Sequence, residues 1–289
     1  MATTQPTERQ NDIQFRQLLD EAVSKPGTLM RAYSLFWNYS LGNQILALIQ
    51  ANNRGIALGP IASFNRWKEL GRYVKRGEKA IELCMPVTSK RTVKEQGEDG
   101  NETETEIVFK RFVFRRNWFM LSQTDGAEYQ TPAIPAWDRA RALQTLNVEE
   151  IPFEMLNGNC QGYAKGKQIA INPVAQMPAK TTFHELGHVV LEHTSEAAVN
   201  DSESLPRSLK EVEAESVALL CLESLGMDGA EYCRGYIQNW LSGATIPERS
   251  AQQIFTAADK ILKAGIRTPQ EELADLKAKL ATLEQGGAQ

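Results

Sequence analysis

Apolar positions recur at helical spacing along most of the chain, and strict alternation is confined to a few stretches. Residues 12–23 read as a short amphipathic helix stopped by Lys25-Pro26-Gly27. Residues 30–50 are rich in aromatics and then regularly apolar, and a helix is expected from 40 to about 53. After the turn at Gly59-Pro60 a second helix is expected over 61–70. Residues 80–87 alternate as a strand, and 107–121 form a long strand region in which Arg and Lys interleave with aromatics. Between them, 88–106 is polar and charged, and is read as a hairpin loop. Residues 122–136 hold Ser, Thr, Gly, Gln and two prolines without periodicity, as a linker does. Beyond it come a helix at 137–146, a strand at 151–156 and a hairpin over 162–172. Helices follow at 181–193, 209–220, 228–242, 247–264 and 268–284. The pattern predicts an α+β chain of two domains. An N-terminal α+β domain takes 1–125, with 1–10 as a tail. A linker takes 126–136, and a mainly helical domain with a small sheet takes 137–289.

Residues 181–193 read TTFHELGHVVLEH and contain His184-Glu185-Leu186-Gly187-His188, an H-E-x-x-H pattern. On a helix, His184 and His188 are one turn apart and share a face. Two neutral imidazoles so placed can grip one divalent ion, usually zinc. Glu185 is then placed to act on a metal-bound water as the catalytic base. The bland alternative is a core helix that happens to carry two histidines. Against it, only three histidines occur in the chain and two are in the motif. A third ligand is available downstream on 209–220, LKEVEAESVALL, where Glu211 and Glu215 are four apart and share a face while Glu213 points elsewhere. Glu211 is read as the ligand and Glu215 as the acceptor of a histidine N–H, with the reverse assignment open. Two histidines and one glutamate leave the fourth position to water. His193 lies nine residues from His184, about 180° around a continuous helix, and is read as a surface histidine at a helix end. An oxyanion donor is also needed, with Tyr163 and Tyr236 as candidates beside the reading of both as core tyrosines. Residues 168–171 are expected to be the edge strand that pairs with an extended peptide.

The chain has 289 residues, enough for two cores, and its 42% hydrophobic and 24% charged residues are those of a globular protein. Four scattered cysteines suggest neither a disulfide framework nor a cysteine metal site, so a reducing, cytoplasmic setting is expected. No stretch approaches a membrane span or a signal-peptide core. The net charge of −4 is uneven. Residues 1–125 hold 18 Lys+Arg against 14 Asp+Glu, or +4, and the remainder holds 14 against 22, or −8.

The basic residues of the first half cluster. Arg66, Lys68, Arg72, Lys75, Arg76 and Lys79 lie close together, and Arg111, Arg115 and Arg116 lie on the later strand. Trp37, Tyr39, Phe64, Trp67, Tyr73, Phe112, Phe114 and Trp118 fall among or near them. Cations that track phosphates and rings that stack bases are what a single-strand binder requires. Core aromatics beside a solvated basic face would give the same composition.

The first half resembles the single-stranded-DNA-binding domain of ArdC-type antirestriction proteins of conjugative plasmids. The likeness is carried by Trp37-Asn38-Tyr39-Ser40, Asn43, Pro60, Phe64, Trp67 through Arg72, Val74 through Lys79, and Pro86. The second half resembles the zincin-like (gluzincin) metallopeptidase domain fused to it, through Phe183 to His188 and Glu211-x-x-Ala214-Glu215. The resemblance implies a zinc-dependent protein that binds single-stranded DNA and protects incoming plasmid DNA from restriction; one Zn2+ per chain is expected, with another divalent ion such as Mn2+ as the alternative. It puts Trp67, Arg72, Lys75, Arg76 and Lys79 forward for DNA; Trp37, Tyr39, Lys68, Arg115 and Arg116 join them from the cluster. Two readings compete. One is a cytoplasmic regulatory peptidase that cleaves a repressor, and the other is a DNA-binding shield whose metal site is not catalytic.

Overall fold

The computed structural model describes residues 14–96, 102–154, 159–195, 206–267 and 271. The fold mixes helix and strand, as the pattern predicts. It divides into two compact units, one made of Met1–Gly42 with Pro132–Gln289 and the other of Asn43–Thr131. An undivided domain over 1–125 is therefore corrected: α1 (Phe15–Ser24) and α2 (Thr28–Phe36) belong with the C-terminal residues.

The physical reason lies at their ends. A helix leaves its first N–H groups and last carbonyls unsatisfied. The carboxylate of Glu248 accepts from Phe15 N and Arg16 N at 2.6 and 3.0 Å. At the other end of α1, the buried Arg234 guanidinium donates to the carbonyls of Ala22 and Val23 and pairs with Glu223. The second oxygen of Glu223 accepts Leu29 N at the start of α2. One buried ion pair thus fastens two helix ends across more than 190 positions of sequence, a distance no local periodicity can report.

In the unit 43–131, α3 (Leu41–Asn53) leads to β1 (Ile61–Ser63), α4 (Phe64–Glu69) and β2 (Arg72–Val74). The helix expected over 61–70 begins only at Phe64, where Ser63 accepts Arg66 N as the cap. Strands β3 (Ile81–Gln96) and β4 (Glu102–Met120) pair antiparallel, in the order β1-β4-β3. The loop expected over 88–106 is strand over 88–96 and 102–106; 97–101 lie outside the described residues. Polar composition does not by itself break a strand when the backbone pairs with a neighbour. Edge strand β3 is closed over its first residues by two amides of α3. Asn43 bonds both Cys84 N and Cys84 O at 2.8 Å, and Gln50 bonds Glu82 N and Glu82 O at 3.0 and 2.8 Å. Each side chain stands in for the backbone of a neighbouring strand.

The expected linker starts too early. Residues Leu121–Gln123 form a 3-10 turn, and β5 (Thr124–Gly126) pairs with β2. Gln123 is buried, accepting Met120 N at 2.9 Å and donating to Glu78 at 2.8 Å.

The other unit adds α5 (Arg139–Leu146), β6 (Glu149–Glu150), β7 (Gly162–Lys165) and β8 (Gln168–Ile171). Helices α6 (Pro178–Val190), α7 (Arg207–Leu225), α8 (Ala230–Leu241) and α9 (Glu248–Ala264) complete it. The strand expected over 151–156 is corrected: the only strand here among the described residues, β6, lies just before it at Glu149–Glu150, 151–154 are not strand, and 155–156 lie outside the described residues. The helix expected over 268–284 lies outside the described residues, Glu271 excepted. No helix among the described residues is long and apolar enough to cross a membrane.

Candidate metal centre

The H-E-x-x-H residues sit on α6, which starts with Pro178 and buries Thr181, Thr182, Phe183, Glu185, Leu186 and Gly187. Gly187 sets how near α7 can come. A Cβ there would stand 3.1 Å from Ala214 Cα and 3.2 Å from Ala214 O. Glycine lets the two backbones nearly touch, and that approach brings the carboxylates of α7 onto the histidines of α6.

Three ligand atoms converge. The Nε2 atoms of His184 and His188 are 3.2 Å apart, and Glu211 Oε2 lies 3.4 and 3.6 Å from them. A tetrahedral ion with ligands at about 2.0–2.1 Å needs ligand-to-ligand edges of about 3.3 Å. The triangle fits such an ion, and His184, His188 and Glu211 are the set of described residues able to hold one. Glu215 takes a different place. Its Oε2 is 2.8 Å from His184 Nδ1, on the far side of that ring, and its Oε1 is 2.8 Å from Lys180 Nζ.

The electrostatics follow from this packing. Burial disfavours a charged His184, but the carboxylates of Glu211 and Glu215 outweigh it and hold its pKa up at about 9. Hydrogen bonds from His184 and His188 hold Glu211 well below the usual carboxylate range. Burial works against a charged Glu215, yet His184 and Lys180 bring it down to about 2. Burial pushes Glu185 up, against the pull of the two histidines.

Glu185 faces a cavity of about 520 Å³ whose walls include Gln161, Gly162, Met177, Lys180, His184 and Tyr236. Of the two tyrosines read as oxyanion donors, Tyr236 lines this cavity. Tyr163 instead packs against Phe153, with ring centroids 5.9 Å apart. Tyr232, not singled out in the sequence, also lines it. The expected edge strand is corrected. Strand β8 is central, with β6 parallel on one side and β7 antiparallel on the other. The available edge near the cavity is β7, which begins at Gly162.

His193 is the largest departure from the sequence reading. It is not a surface residue but is 9% exposed, with Nδ1 3.1 Å from His188 Nδ1 and Nε2 2.9 Å from Glu213 Oε2. The helix ends at Val190, and Glu192 adopts a left-handed conformation, φ 62°. His193 N then bonds His188 O at 2.9 Å, a Schellman closure that folds residue 193 back onto residue 188. The estimate of 180° assumed a helix that continues.

The residues expected to bind DNA separate. Trp37 and Tyr39 are half-buried and lie in the unit that holds the metal centre. Trp67 is 1% exposed, donates from Nε1 to Phe119 O at 2.8 Å, and meets Tyr129 edge-on. Its ring is buried, with the Arg72 guanidinium over it at 6.0 Å, and is not open for a base to stack on, so its reading as a stacking ring is corrected. Arg72 is held by Thr124 Oγ1 at 2.9 Å and by the Ala127 carbonyl. Lys75 reaches Ser122 O at 2.9 Å. Lys68, Arg76, Lys79, Arg115 and Arg116 are exposed, with Arg116 3.2 Å from Glu82. The exposed rings of this unit are Phe64, Tyr73, Phe109 and Phe112.

Residues 16–114 match the family model of the N-terminal domain of anti-restriction factor ArdC. The resemblance to ArdC-type antirestriction proteins thus stands over that span, which crosses the boundary between the two units. No curated protein matches the chain. Two crystal structures of the antirestriction ArdC protein from plasmid R388 align with 88% of it. The metal-free one covers 96% of its own chain at 20% identity and a TM-score of 0.44; the Mn(II)-bound one covers 98% at 19% and 0.48.

Proposed function

We propose, with residues 16–114 resembling the ArdC N-terminal domain, that the chain is a plasmid-type antirestriction protein. In this reading residues 43–131 bind single-stranded DNA, and the other unit is a zincin-like, gluzincin-type metallopeptidase domain. The observation that carries the second part is the triangle of His184, His188 and Glu211, with buried Glu185 beside it on an open cavity. Two imidazoles and a carboxylate suit zinc, and Mn2+ is the alternative.

When bound, a zinc ion supplies an electrophile and a water of lowered pKa. The rest is done by side chains of the chain. Glu185, buried at the wall of the cavity, would be the general base, taking up a proton on its carboxylate and returning it to a leaving amine. Tyr236, which lines the cavity, is the candidate donor of a hydrogen bond to a developing oxyanion. The β7 edge from Gly162 pairs with an extended peptide, and a side chain at 162 would collide with Thr181 and the Ala170 carbonyl. Lys180 holds Glu215, and Glu215 holds His184.

For the DNA unit, exposed Phe64, Tyr73, Phe109 and Phe112 supply flat rings, and exposed Lys68, Arg76, Lys79, Arg111 and Arg115 supply charge. One experiment tests both halves. Glu185→Gln should keep about one ion per chain, bind oligo-dT like the parent and lose hydrolysis of a peptide library. Hydrolysis retained by Glu185→Gln removes the peptidase assignment. Protection from restriction that survives it means that antirestriction needs no hydrolysis. An oligo-dT affinity that is absent or insensitive to salt removes the DNA assignment.

A further inference from the structure

Behind His188 a chain of groups runs from the metal triad into the core. His188 Nδ1 is 3.1 Å from His193 Nδ1, and His193 Nε2 is 2.9 Å from Glu213 Oε2. Glu213 is 1% exposed, and its Oε1 has no hydrogen-bond partner. Burying a carboxylate with one oxygen unpartnered is costly, and a site that retains one has a use for the other oxygen.

The proton directions are set by the geometry. His188 Nε2 faces His184 Nε2 and Glu211. To offer a lone pair there, a neutral His188 carries its proton on Nδ1 and donates it to His193. His193 then accepts through Nδ1 and carries its own proton on Nε2, which donates to Glu213. Each ring is left with one tautomer, and the series ends on a group that only accepts. At His184 the same task is done by one direct contact with Glu215.

We propose that His193 and Glu213 are positioning residues for His188, fixing its ring and tautomer so that Nε2 is presented to a divalent cation. This rests on the metal reading above. It adds that one of the two histidines is gripped through an interposed imidazole rather than by a carboxylate. It also ties the metal site to the end of α6, because His193 reaches His188 only through the left-handed Glu192. Outer partners of this kind change metal affinity about 10–100-fold when removed.

The test is the dissociation constant for Zn2+ and Mn2+, by competition with a chromogenic chelator. The full chain is compared with His193→Gln, His193→Asn, Glu213→Gln and His184→Ala, and metal-free melting temperatures report folding. Asn can place its carbonyl oxygen near the Nδ1 position and still accept from His188. Gln reaches toward Glu213 and leaves His188 without its acceptor. We expect His193→Gln to weaken binding about 10–100-fold, His193→Asn to weaken it less, and Glu213→Gln to fall between. The hydrogen-bonded Nδ1–H of His188, followed by 15N-edited NMR, should persist in His193→Asn and vanish in His193→Gln. Binding within twofold of the parent in all three overturns the proposal while the metal site stands. Equal losses in His193→Asn and His193→Gln that track the melting temperature also overturn it, because the pair would then be packing alone. A parent chain that binds neither ion takes the metal reading down and this proposal with it, and His184→Ala calibrates that outcome.

Discussion

Gly187 and Ala214 bring two helix backbones close together: a Cβ on Gly187 would stand 3.1 Å from Ala214 Cα. The obstacle is backbone, which cannot rotate out of the way. Gly187→Ala should therefore destabilise by about 1–3 kcal/mol through overpacking, even though Ala is the better helix former by about 1 kcal/mol. It should also loosen metal retention, since His184 and His188 would move away from Glu211 as α6 and α7 part. Calorimetry with and without added zinc checks this. A raised melting temperature would show that close approach does not set the helix spacing.

The Arg234–Glu223 pair makes a second prediction. Both side chains are buried, and Arg234 also serves the carbonyls of Ala22 and Val23. Breaking a buried pair by removing one partner costs about 3–5 kcal/mol. Arg234→Ala should lose about that much, with amide exchange rising first over α1 and α2. Exchange that rises uniformly would contradict a local fastening role.

The metal-free protein should lose stability as pH rises. His184 has a pKa of about 9 in the folded chain against an ordinary 6.5. A raised folded pKa contributes stability that is fully present below 6.5 and lost as pH climbs through 9. Chelator-treated protein should melt progressively lower between these values, by no more than about 3 kcal/mol in all. With metal bound the ring carries no such proton, and the slope should vanish. A flat profile without metal would mean that Glu211 and Glu215 do not hold His184 charged.

In the unit 43–131, proposed above to bind DNA, the rings divide by exposure. Phe109→Ala and Phe112→Ala should each weaken oligo-dT binding by about 1–3 kcal/mol, as the loss of one stacked base does, without moving the melting temperature. Trp67→Ala should do the reverse, costing about 3–5 kcal/mol of stability as buried aromatics do. Arg115→Gln should lower the slope of log affinity against log salt by about 0.7. Fluorescence anisotropy at several salt concentrations measures the binding of all four variants, and thermal melting measures the stability of the Phe109, Phe112 and Trp67 variants.

What could be read from the sequence follows from the range of the interactions. His184, Glu185 and His188 are fixed by one turn of one helix, so their relation is legible from spacing. Glu211 and Glu215 share a face of α7, and spacing alone cannot order them; the order comes from which side of His184 each approaches. His193 was illegible because Glu192, not a glycine, takes the left-handed position that turns the chain back. Trp67 lies in a run of cations that resembles a binding surface, and only the fold shows its ring facing Phe119 and Tyr129. The extent of β3 and β4 was hidden because residues 88–106 are almost all polar, so no alternation of apolar and polar positions marks them as strand. The place of α1 and α2 depends on partners some 200 positions away.

Residues 43–131 interrupt a unit whose two parts are Met1–Gly42 and Pro132–Gln289, and this fixes an order of events on the ribosome. Helices α1 and α2 emerge first, with Leu18, Leu19, Val23, Leu29 and Phe36 on faces that end buried. Their partners Glu223, Arg234 and Glu248 emerge last. The inserted unit is synthesised whole and can fold while translation continues. The unit bearing the metal centre cannot close until α9 is out, and its long-range contacts make that step slow. A nascent chain therefore has the whole inserted unit out well before the residues of the candidate metal centre can come together, and for that interval its first two helices are candidates for chaperone capture.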